Sequence, residues 1–270
     1  MSRTLMLERV STSQSKAPES GSRFSKFRYG LPLLAAAVLA TPAQADLLGL
    51  SLGASTWYTG ITGDISSGGG DFQLEDELGF DDGFNFSAFA MFENPIPLIP
   101  NVRVQYSAVD QDGTGTVTAK FFDGVAINGR TSNSLQLNQA DAIVFWELLD
   151  TVVHIDFGLQ AKFVDGKITI REKDGTANRV EEEFKAVIPM LYGGAGLNLP
   201  LTGLSAYASV AGIGYSGNSI VDANLALNYE LNMVDVTVGW RELQIKLDDV
   251  DNVDADMTLG GPFLGVGLSF

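Results

Sequence analysis

Residues 152–163 read VVHIDFGLQAKF and alternate between apolar and polar side chains. The odd positions from Val153 to Phe163 are apolar, whereas the even positions from His154 to Lys162 are polar or glycine. Because successive side chains of a β-strand point to opposite faces, this stretch predicts a strand with one apolar and one polar face. A tilted strand crosses a bilayer in ~9–11 residues, so this one is long enough to span a membrane.

The same period of two residues returns along the chain after residue 46, where helical periodicity is nearly absent. It is clearest in residues 84–93, 102–108, 221–230 and 234–241. Short connections alternate with longer polar ones, the short ones at 94–100, 149–151, 199–203 and 231–233 and the long ones at 66–82, 111–134, 165–178 and 248–254. This pattern is typical of bacterial outer-membrane proteins. It predicts an all-β fold, a closed antiparallel transmembrane β-barrel of about ten strands in an up-and-down meander, over residues 46–270.

Two local features refine this expectation. The alternation changes phase beyond Trp240, since Leu243 and the apolar residues after it have the other parity, which predicts a β-bulge near Arg241–Glu242. Aromatic side chains also collect near predicted strand ends, where their rings suit the lipid headgroup level. They are Phe92, Trp146 and Tyr229 on the periplasmic side and Trp57 and Trp240 on the outer side.

The N-terminus has the organisation of a secretory signal peptide. A polar, basic stretch ends at Lys26 and Arg28, and the apolar run LPLLAAAVLA follows at residues 31–40. Ala43 and Ala45 then supply the small residues of an A-x-A cleavage site. Residues 1–45 are therefore predicted to be a signal peptide that is cleaved after Ala45.

The composition excludes several classes of protein. The chain has no cysteine, which excludes disulfides, zinc–thiolate sites and cysteine nucleophiles. It contains 33 acidic residues against 17 Lys and Arg, so a nucleic-acid partner is not expected. No run reaches the ~18–20 apolar residues of a membrane-spanning helix. No cofactor is predicted.

The chain ends on alternating apolar residues, from Leu264 to Phe270. A terminal aromatic on an amphipathic last strand resembles the recognition signal of the barrel-assembly machinery. Together with the signal peptide, this ending predicts the bacterial outer membrane as the location. The expected partners are that machinery, through Phe270, and the lipid and lipopolysaccharide of the outer membrane.

A longer stretch carries a family resemblance. Residues 74–107, LEDELGFDDGFNFSAFAMFENPIPLIPNVRVQYS, resemble a largely uncharacterised family of small gammaproteobacterial outer-membrane β-barrel proteins. The stretch VVHIDFGLQAKFVDG and the residues Pro189–Tyr192 are also similar to that family. The resemblance implies a barrel and an outer-membrane location, and it supplies no activity and no catalytic residues.

The polar faces of the predicted strands place charges of both signs in the lumen. The predicted lumen residues are Arg103, Asp141, His154, Asp156, Lys162, Glu181, Glu183, Lys185, Asp222, Glu230, Asp235 and Arg241. A barrel of about ten strands is narrow, and paired charges inside it can close the lumen. We therefore predict a non-enzymatic structural or surface-interaction protein of the cell envelope, with a narrow channel for small or cationic solutes as the alternative.

An outer-membrane hydrolase is a further alternative, and it depends on the only histidine. His154 and Asp156 lie two residues apart on one strand face, close enough for a hydrogen bond. Acid–base chemistry needs such a pair but also needs a nucleophile, and no G-x-S-x-G motif is present. The pattern favours a polar lumen residue over a catalytic one. A water-soluble periplasmic β-sandwich is the remaining alternative fold.

Acidic residues cluster in two predicted outer loops. One cluster lies within residues 75–82, and the candidate metal ligands of the other are Asp248, Asp249, Asp251, Asp254 and Asp256. Several carboxylates suit a hard cation such as calcium, but the second cluster lacks the glycine and final glutamate of an EF-hand loop. Solvated loop charge is the simpler interpretation, and divalent cations are possible partners.

Overall fold

The computed structural model describes residues 49–67, 70–96, 98–174, 178–250 and 253–270. The predicted signal peptide lies outside these residues. The described residues form eleven strands: β1 (Gly49–Ser67), β2 (Asp71–Gln73), β3 (Gly83–Glu93), β4 (Asn101–Phe122), β5 (Val125–Asp150), β6 (Val153–Glu172), β7 (Arg179–Leu199), β8 (Leu204–Tyr215), β9 (Asn218–Leu231), β10 (Val234–Val250) and β11 (Val253–Ser269).

Ten of these strands close into one antiparallel barrel. From β3 to β11, each strand pairs with the next along the chain, β1 pairs with β3, and β11 returns to pair with β1. The short strand β2 pairs only with the outer end of β1. Reciprocal backbone hydrogen bonds between Leu50 and Phe270 complete the seam between the two ends of the barrel. The predicted ten-stranded barrel is confirmed.

An apolar belt surrounds the barrel on the periplasmic side of its middle. Along β6 the outward side chains from Val153 to Phe163 are apolar, as the alternation predicts, and all of them except the half-buried Ala161 are exposed. The other strands contribute equivalent residues, among them Phe86, Val104, Leu191, Leu225, Val238 and Leu264. An exposed apolar surface of this extent, with alternate residues facing inward, is the lipid-facing surface of a membrane barrel.

The strands continue far beyond this belt on the outer side. β4, β5, β6 and β7 have 22, 26, 20 and 21 residues, about twice the length that crosses a bilayer. Both 111–134 and 165–178 were predicted as long loops. Residues 111–134 are strand apart from the tight turn at Asp123–Gly124, and residues 165–172 are strand as well. We call the described residues within 60–82, 109–138, 164–186 and 242–259 the outer head. β8 and β9 remain short, with 12 and 14 residues.

The pattern of burial reverses between the belt and the outer head. In the belt, apolar side chains point outward and polar ones inward, whereas in the head Ile168, Ile170 and Val180 point inward and are buried. Lys167, which precedes Ile168 on β6, points outward and pairs with Glu181 and Glu183 on the neighbouring strand β7. The head thus has the apolar core of a water-soluble protein, because water surrounds it instead of lipid.

An inward connection between β2 and β3 completes this core. Phe72, Leu74 and Leu78 are fully buried, and Phe80 forms an isolated bridge with Gly113 of β4. Gly115 allows this approach, because a Cβ there would lie 1.8 Å from the backbone oxygen of Glu77. The connection is therefore packed into the outer end of the barrel instead of extending into solvent.

Two local predictions are wrong. No bulge occurs near Arg241–Glu242, since pairing is continuous there with both β9 and β11. Arg241 and Leu243 both point inward and are buried, so the phase of the strand is constant and only its surroundings change. Trp57 likewise points into the barrel and is buried, and its neighbour Tyr58 faces outward.

Candidate functional site

Four charged side chains form a buried cluster across the lumen. Lys162 on β6 pairs with Asp141 on β5 at 2.8 Å and with Asp222 on β9 at 2.9 Å. Arg241 on β10 also pairs with Asp222, at 2.8 Å. Because two strands separate β6 from β9, the contact between Lys162 and Asp222 crosses the interior instead of following the wall. We call these four residues the transverse cluster.

Neighbouring polar groups complete this cluster. Arg241 Nη1 donates to Ser107 Oγ on β4 at 2.6 Å, and Ser107 is hydrogen-bonded to Ser87. Gln160 donates to Asp141 at 2.8 Å, and the guanidinium of Arg241 lies 5.0 Å from the centre of the Trp57 ring. The charges balance, and the apolar core of the outer head lies beyond them. The described part of the lumen is therefore closed on its outer side.

A cavity of about 360 Å³ lies on the periplasmic side of the transverse cluster. Asp141, Asp222 and Arg241 line its outer end and are buried, whereas Glu147 at its other end is exposed. Volumes of ~300–1,000 Å³ are typical of small-molecule sites. The cavity is therefore a dead end that opens toward the periplasm.

A stack of side chains forms one wall of the cavity. The rings of His154 and Tyr207 are parallel within 17° with centroids 5.7 Å apart. Tyr207 donates to Asp156 at 3.1 Å and is also hydrogen-bonded to Tyr192. Gly196 makes room for this stack, because a Cβ there would lie 1.9 Å from His154 Nε2. His154 and Asp156 thus share a wall in which a phenol lies next to the carboxylate.

Acidic side chains surround the periplasmic end. Glu93, Glu147 and Asp235 line the cavity, and Asp235 accepts a hydrogen bond from Ser269 at 2.7 Å. Glu230 lies opposite Asp235 on the neighbouring strand and is exposed. A mouth with this charge attracts cations and repels anions.

Arg103 contributes a positive charge to the lining of the cavity. Its guanidinium lies 4.5 Å from the centre of the Phe89 ring and donates to Gln105 at 3.0 Å. Arg103 thus packs against the barrel wall beside an aromatic ring, separate from the transverse cluster.

The structure brings together most of the predicted lumen residues. Asp141, Lys162, Asp222 and Arg241 form the transverse cluster, Arg103, His154, Asp156 and Asp235 line the cavity, and Glu230 lies at the mouth. Glu181, Glu183 and Lys185 are a correction, because they lie on the outer surface. They belong to the outer head, where the outward face is the polar one, and pair with Lys167 and Asp165.

The acidic loop residues are dispersed at the outer end. Asp256 pairs with Lys246 at 3.7 Å, Asp254 accepts from Ser66, and the backbone amide of Asp248 donates to Asn218. Among the described residues no three metal-ligating side chains converge. Asp251 and the side chain of Asp249 lie outside the described part.

Two carboxyl groups of the outer head have shifted pKa values. Burial, together with the charges of Asp71 and Asp256, raises the pKa of Asp64 above its usual range. Burial also acts to raise the pKa of Glu77, but hydrogen bonds from Lys120 and from the backbone of Gln73 outweigh it and lower the net pKa. Glu77 lies 2.5 Å from Lys120, so this ion pair fastens the inward connection to β4.

Sequence reasoning missed the aromatic wall of the cavity. Tyr192 follows an apolar run, and Tyr207 lies in a stretch with small residues on both faces. The alternation of apolar and polar residues therefore did not show that either tyrosine faces the lumen. The run Gly-Gly-Ala-Gly at residues 193–196 was the available signal. Consecutive glycines within a strand often mark a close approach by another group, here the rings of His154 and Tyr207.

No helix in the described ranges has the length and apolar character needed to cross a membrane. Comparison with known proteins finds no matching family model and no matching characterised sequence. Solved structures do match. The outer-membrane protease OmpT of Escherichia coli has a TM-score of 0.53 at 9% identity, over 84% of this chain and 98% of that chain.

Two other barrels are more distant in shape. Neisserial surface protein A has a TM-score of 0.33 at 14% identity, over 82% of this chain and 97% of its own. The translocator domain of the autotransporter NalP from Neisseria meningitidis has a TM-score of 0.40 at 14% identity, over 82% of this chain and 88% of that domain's chain. At these identities the likeness concerns the fold. The chain is an outer-membrane β-barrel.

Proposed function

We propose that this protein is a sealed, non-enzymatic barrel with a structural or surface-interaction role in the cell envelope. The transverse cluster carries this proposal, because it joins β6 to β9 and β10 to β4 across the narrow lumen. Each of its charges has an opposite partner. Breaking such a buried pair costs ~3–5 kcal/mol, so the closed arrangement resists opening by thermal motion.

The outer head supports the second part of the proposal. It projects a folded, apolar-cored structure beyond the lipid and presents mostly charged and polar side chains to the medium. Folded outer segments of this kind suit contact with lipopolysaccharide, in part through divalent cations at exposed carboxylates, or with other surfaces. Assembly through the terminal Phe270 belongs to the same proposal.

Conductance in a planar bilayer tests the seal. The purified barrel, shown to be folded by its heat-modifiable migration on gels, is added to the bilayer and the current recorded across a range of voltages. We expect no discrete steps above those of a mock preparation. Reproducible single-channel steps would contradict the proposal and favour the narrow channel for small or cationic solutes.

The non-enzymatic part rests on the surroundings of His154. Its ring is stacked on Tyr207, and the hydroxyl that reaches Asp156 is that phenol instead of a serine nucleophile. We expect the folded barrel to hydrolyse neither ester nor peptide substrates. Turnover that disappears in His154→Ala while the barrel stays folded would establish the hydrolase alternative instead.

A further inference from the structure

We propose that the periplasm-facing cavity is a binding site for a small organic cation with an aromatic or apolar group, taken up from the periplasm. This inference goes beyond the structural role proposed above. It concerns only the space between the transverse cluster and the acidic mouth. It follows from the closure of the cavity, the character of its walls and the balance of its charges.

The cavity has the form of a ligand site. Its volume of about 360 Å³ lies within the ~300–1,000 Å³ of small-molecule sites, and its outer end is closed by the buried side chains of Asp222 and Arg241. A solute that enters from the periplasm therefore stops inside the barrel. Such a site retains a ligand instead of conducting it.

The walls combine aromatic rings with a few polar groups. Tyr207 and His154 present a stacked surface, and the rings of Phe145 and Tyr192 lie 5.8 Å apart on the adjoining wall. Aromatic faces attract both apolar groups and cations, with a stronger effect where water is excluded. An amine attached to an aromatic or apolar body matches this lining.

The balance of charge selects the sign of the ligand. The transverse cluster is neutral, since Lys162 and Arg241 offset Asp141 and Asp222. The remaining charged side chains that line the cavity are four carboxylates and one guanidinium, namely Glu93, Glu147, Asp156, Asp235 and Arg103. A negative excess inside a wall of low dielectric constant favours a cation.

Arg103 does not reverse this preference. Its guanidinium lies against the Phe89 ring and donates to Gln105, so one face and one edge are already engaged on the wall. An anionic ligand that sought Arg103 would first pass the carboxylates of the mouth. A ligand with a positive group near Asp235 and an aromatic body near Tyr207 avoids this repulsion.

Calorimetry with three analogues of one shape tests the proposal. Tryptamine is the cation, indole-3-ethanol the neutral analogue and indole-3-acetate the anion, and each is titrated into the full chain in detergent. We expect tryptamine to bind at least about tenfold more tightly than either analogue. Equal or tighter binding of the neutral or anionic analogue, or no binding of tryptamine, would overturn the inference.

A pair of variants locates the site. Asp235→Asn removes one negative charge from the cavity and should weaken tryptamine binding about fivefold or more. Glu183→Gln makes the same change on the outer surface of the head and should leave the affinity unchanged. An equal loss in both variants would mean that overall charge, and not this cavity, governs binding.

Cysteine labelling provides a second measurement that does not depend on affinity. The chain has no cysteine, so Ser205→Cys places one thiol in the cavity and Ser132→Cys places one on the outer head. Relative to Ser132→Cys, Ser205→Cys should react at least about fivefold faster with a cationic than with an anionic methanethiosulfonate, and tryptamine should slow the reaction. The absence of a cationic preference would contradict the proposal.

The sidedness of labelling separates this inference from the seal. In vesicles with the outer head exposed, an impermeant reagent should reach Ser205→Cys only from the inside. Labelling from both sides with the cationic preference intact would mean that the barrel conducts, which refutes the sealed barrel and leaves the cation site standing. Labelling from the inside alone without that preference refutes only the cation site.

Discussion

At the scale of single residues, Lys162 links two carboxylates and an amide within the transverse cluster. Its ammonium lies within 3.1 Å of Asp141, Asp222 and Gln139, and its side chain is almost fully buried. A lone ammonium at this depth would be costly, so its presence depends on the two carboxylates around it. The two aspartates depend on Lys162 for the same reason.

Lys162→Met should therefore destabilise the barrel strongly. It leaves two buried carboxylates with Arg241 as their only cationic partner in the transverse cluster, and we expect a loss of about 3–5 kcal/mol in the free energy of unfolding. Urea titration of the barrel in lipid vesicles measures this loss. Lys167→Met removes an exposed lysine from the same strand and should cost less than about 1 kcal/mol.

A charge-balanced double variant checks the cause. Lys162→Met combined with Asp141→Asn leaves Asp222 paired with Arg241 and should recover part of the loss. A double variant that is as unstable as the single one would point to lost packing instead of lost charge balance.

At the scale of elements, the connection between β2 and β3 depends on the outer ion pair. The amide of Leu78 donates to Gln73, and the side chain of Leu78 is fully buried in the core of the outer head. Glu77 and Lys120 fasten this connection from outside, at 2.5 Å. A buried loop therefore depends on one accessible carboxylate.

Acidification should loosen this connection. Because the folded state lowers the pKa of Glu77 below its usual value of 4.5, the ion pair contributes its full stability above that value. The contribution disappears as the pH falls through the lower pKa of the folded state. Hydrogen exchange of the Leu78 amide, corrected for its intrinsic pH dependence, should therefore accelerate in the wild-type protein below about pH 4.

Glu77→Gln provides the control for this titration. Its exchange at Leu78 should be about three- to fivefold faster than wild type at neutral pH and should show no further change in the acid range. An acid-dependent acceleration that persists in Glu77→Gln would assign the effect to another carboxyl group, such as Asp64, which pairs with Gln73 across β1 and β2 and has a raised pKa.

Some of this arrangement follows from the sequence and some does not. Val153 to Phe163 predicts its strand and both faces, because lipid and lumen impose a strict period of two residues. Residues 111–134 were mistaken for a loop, because the outer surface of a strand in water is as polar as a loop. The contact between Lys162 and Asp222 is beyond sequence reasoning, since strands that are not neighbours meet only through the curvature and tilt of the closed barrel.

At the scale of the whole molecule, one continuous wall passes through two solvents. Leu159 and Gln136 both point outward on neighbouring long strands, but the first faces lipid and the second faces water. The same substitution should therefore have different costs at the two depths. The difference between them measures where the membrane ends.

Leu159→Lys should cost about 2–4 kcal/mol in the free energy of unfolding in lipid, the range for a lysine near the bilayer midplane. Gln136→Lys places the same charge on the outer head and should change stability by less than about 0.5 kcal/mol. Equal effects would contradict the division into belt and head. Repeating both measurements in detergent should reduce the cost at Leu159, since a micelle adapts to a charge more readily than a bilayer does.

The length of β4 to β7 also bears on how the protein is assembled. No ATP is present outside the outer membrane. The core of the head must therefore fold without ATP hydrolysis once the polypeptide has crossed the membrane. Because each long strand is one piece of chain, the pairing established within lipid brings the outer segments into register next to one another. Closing the outer loops then costs less entropy, because their ends already lie close together. The transmembrane wall thus serves as a template for the head. Long-range strand pairs ordinarily form slowly, and slow folding would expose the head to proteases and aggregation. Strands that are already aligned by the wall shorten this exposure.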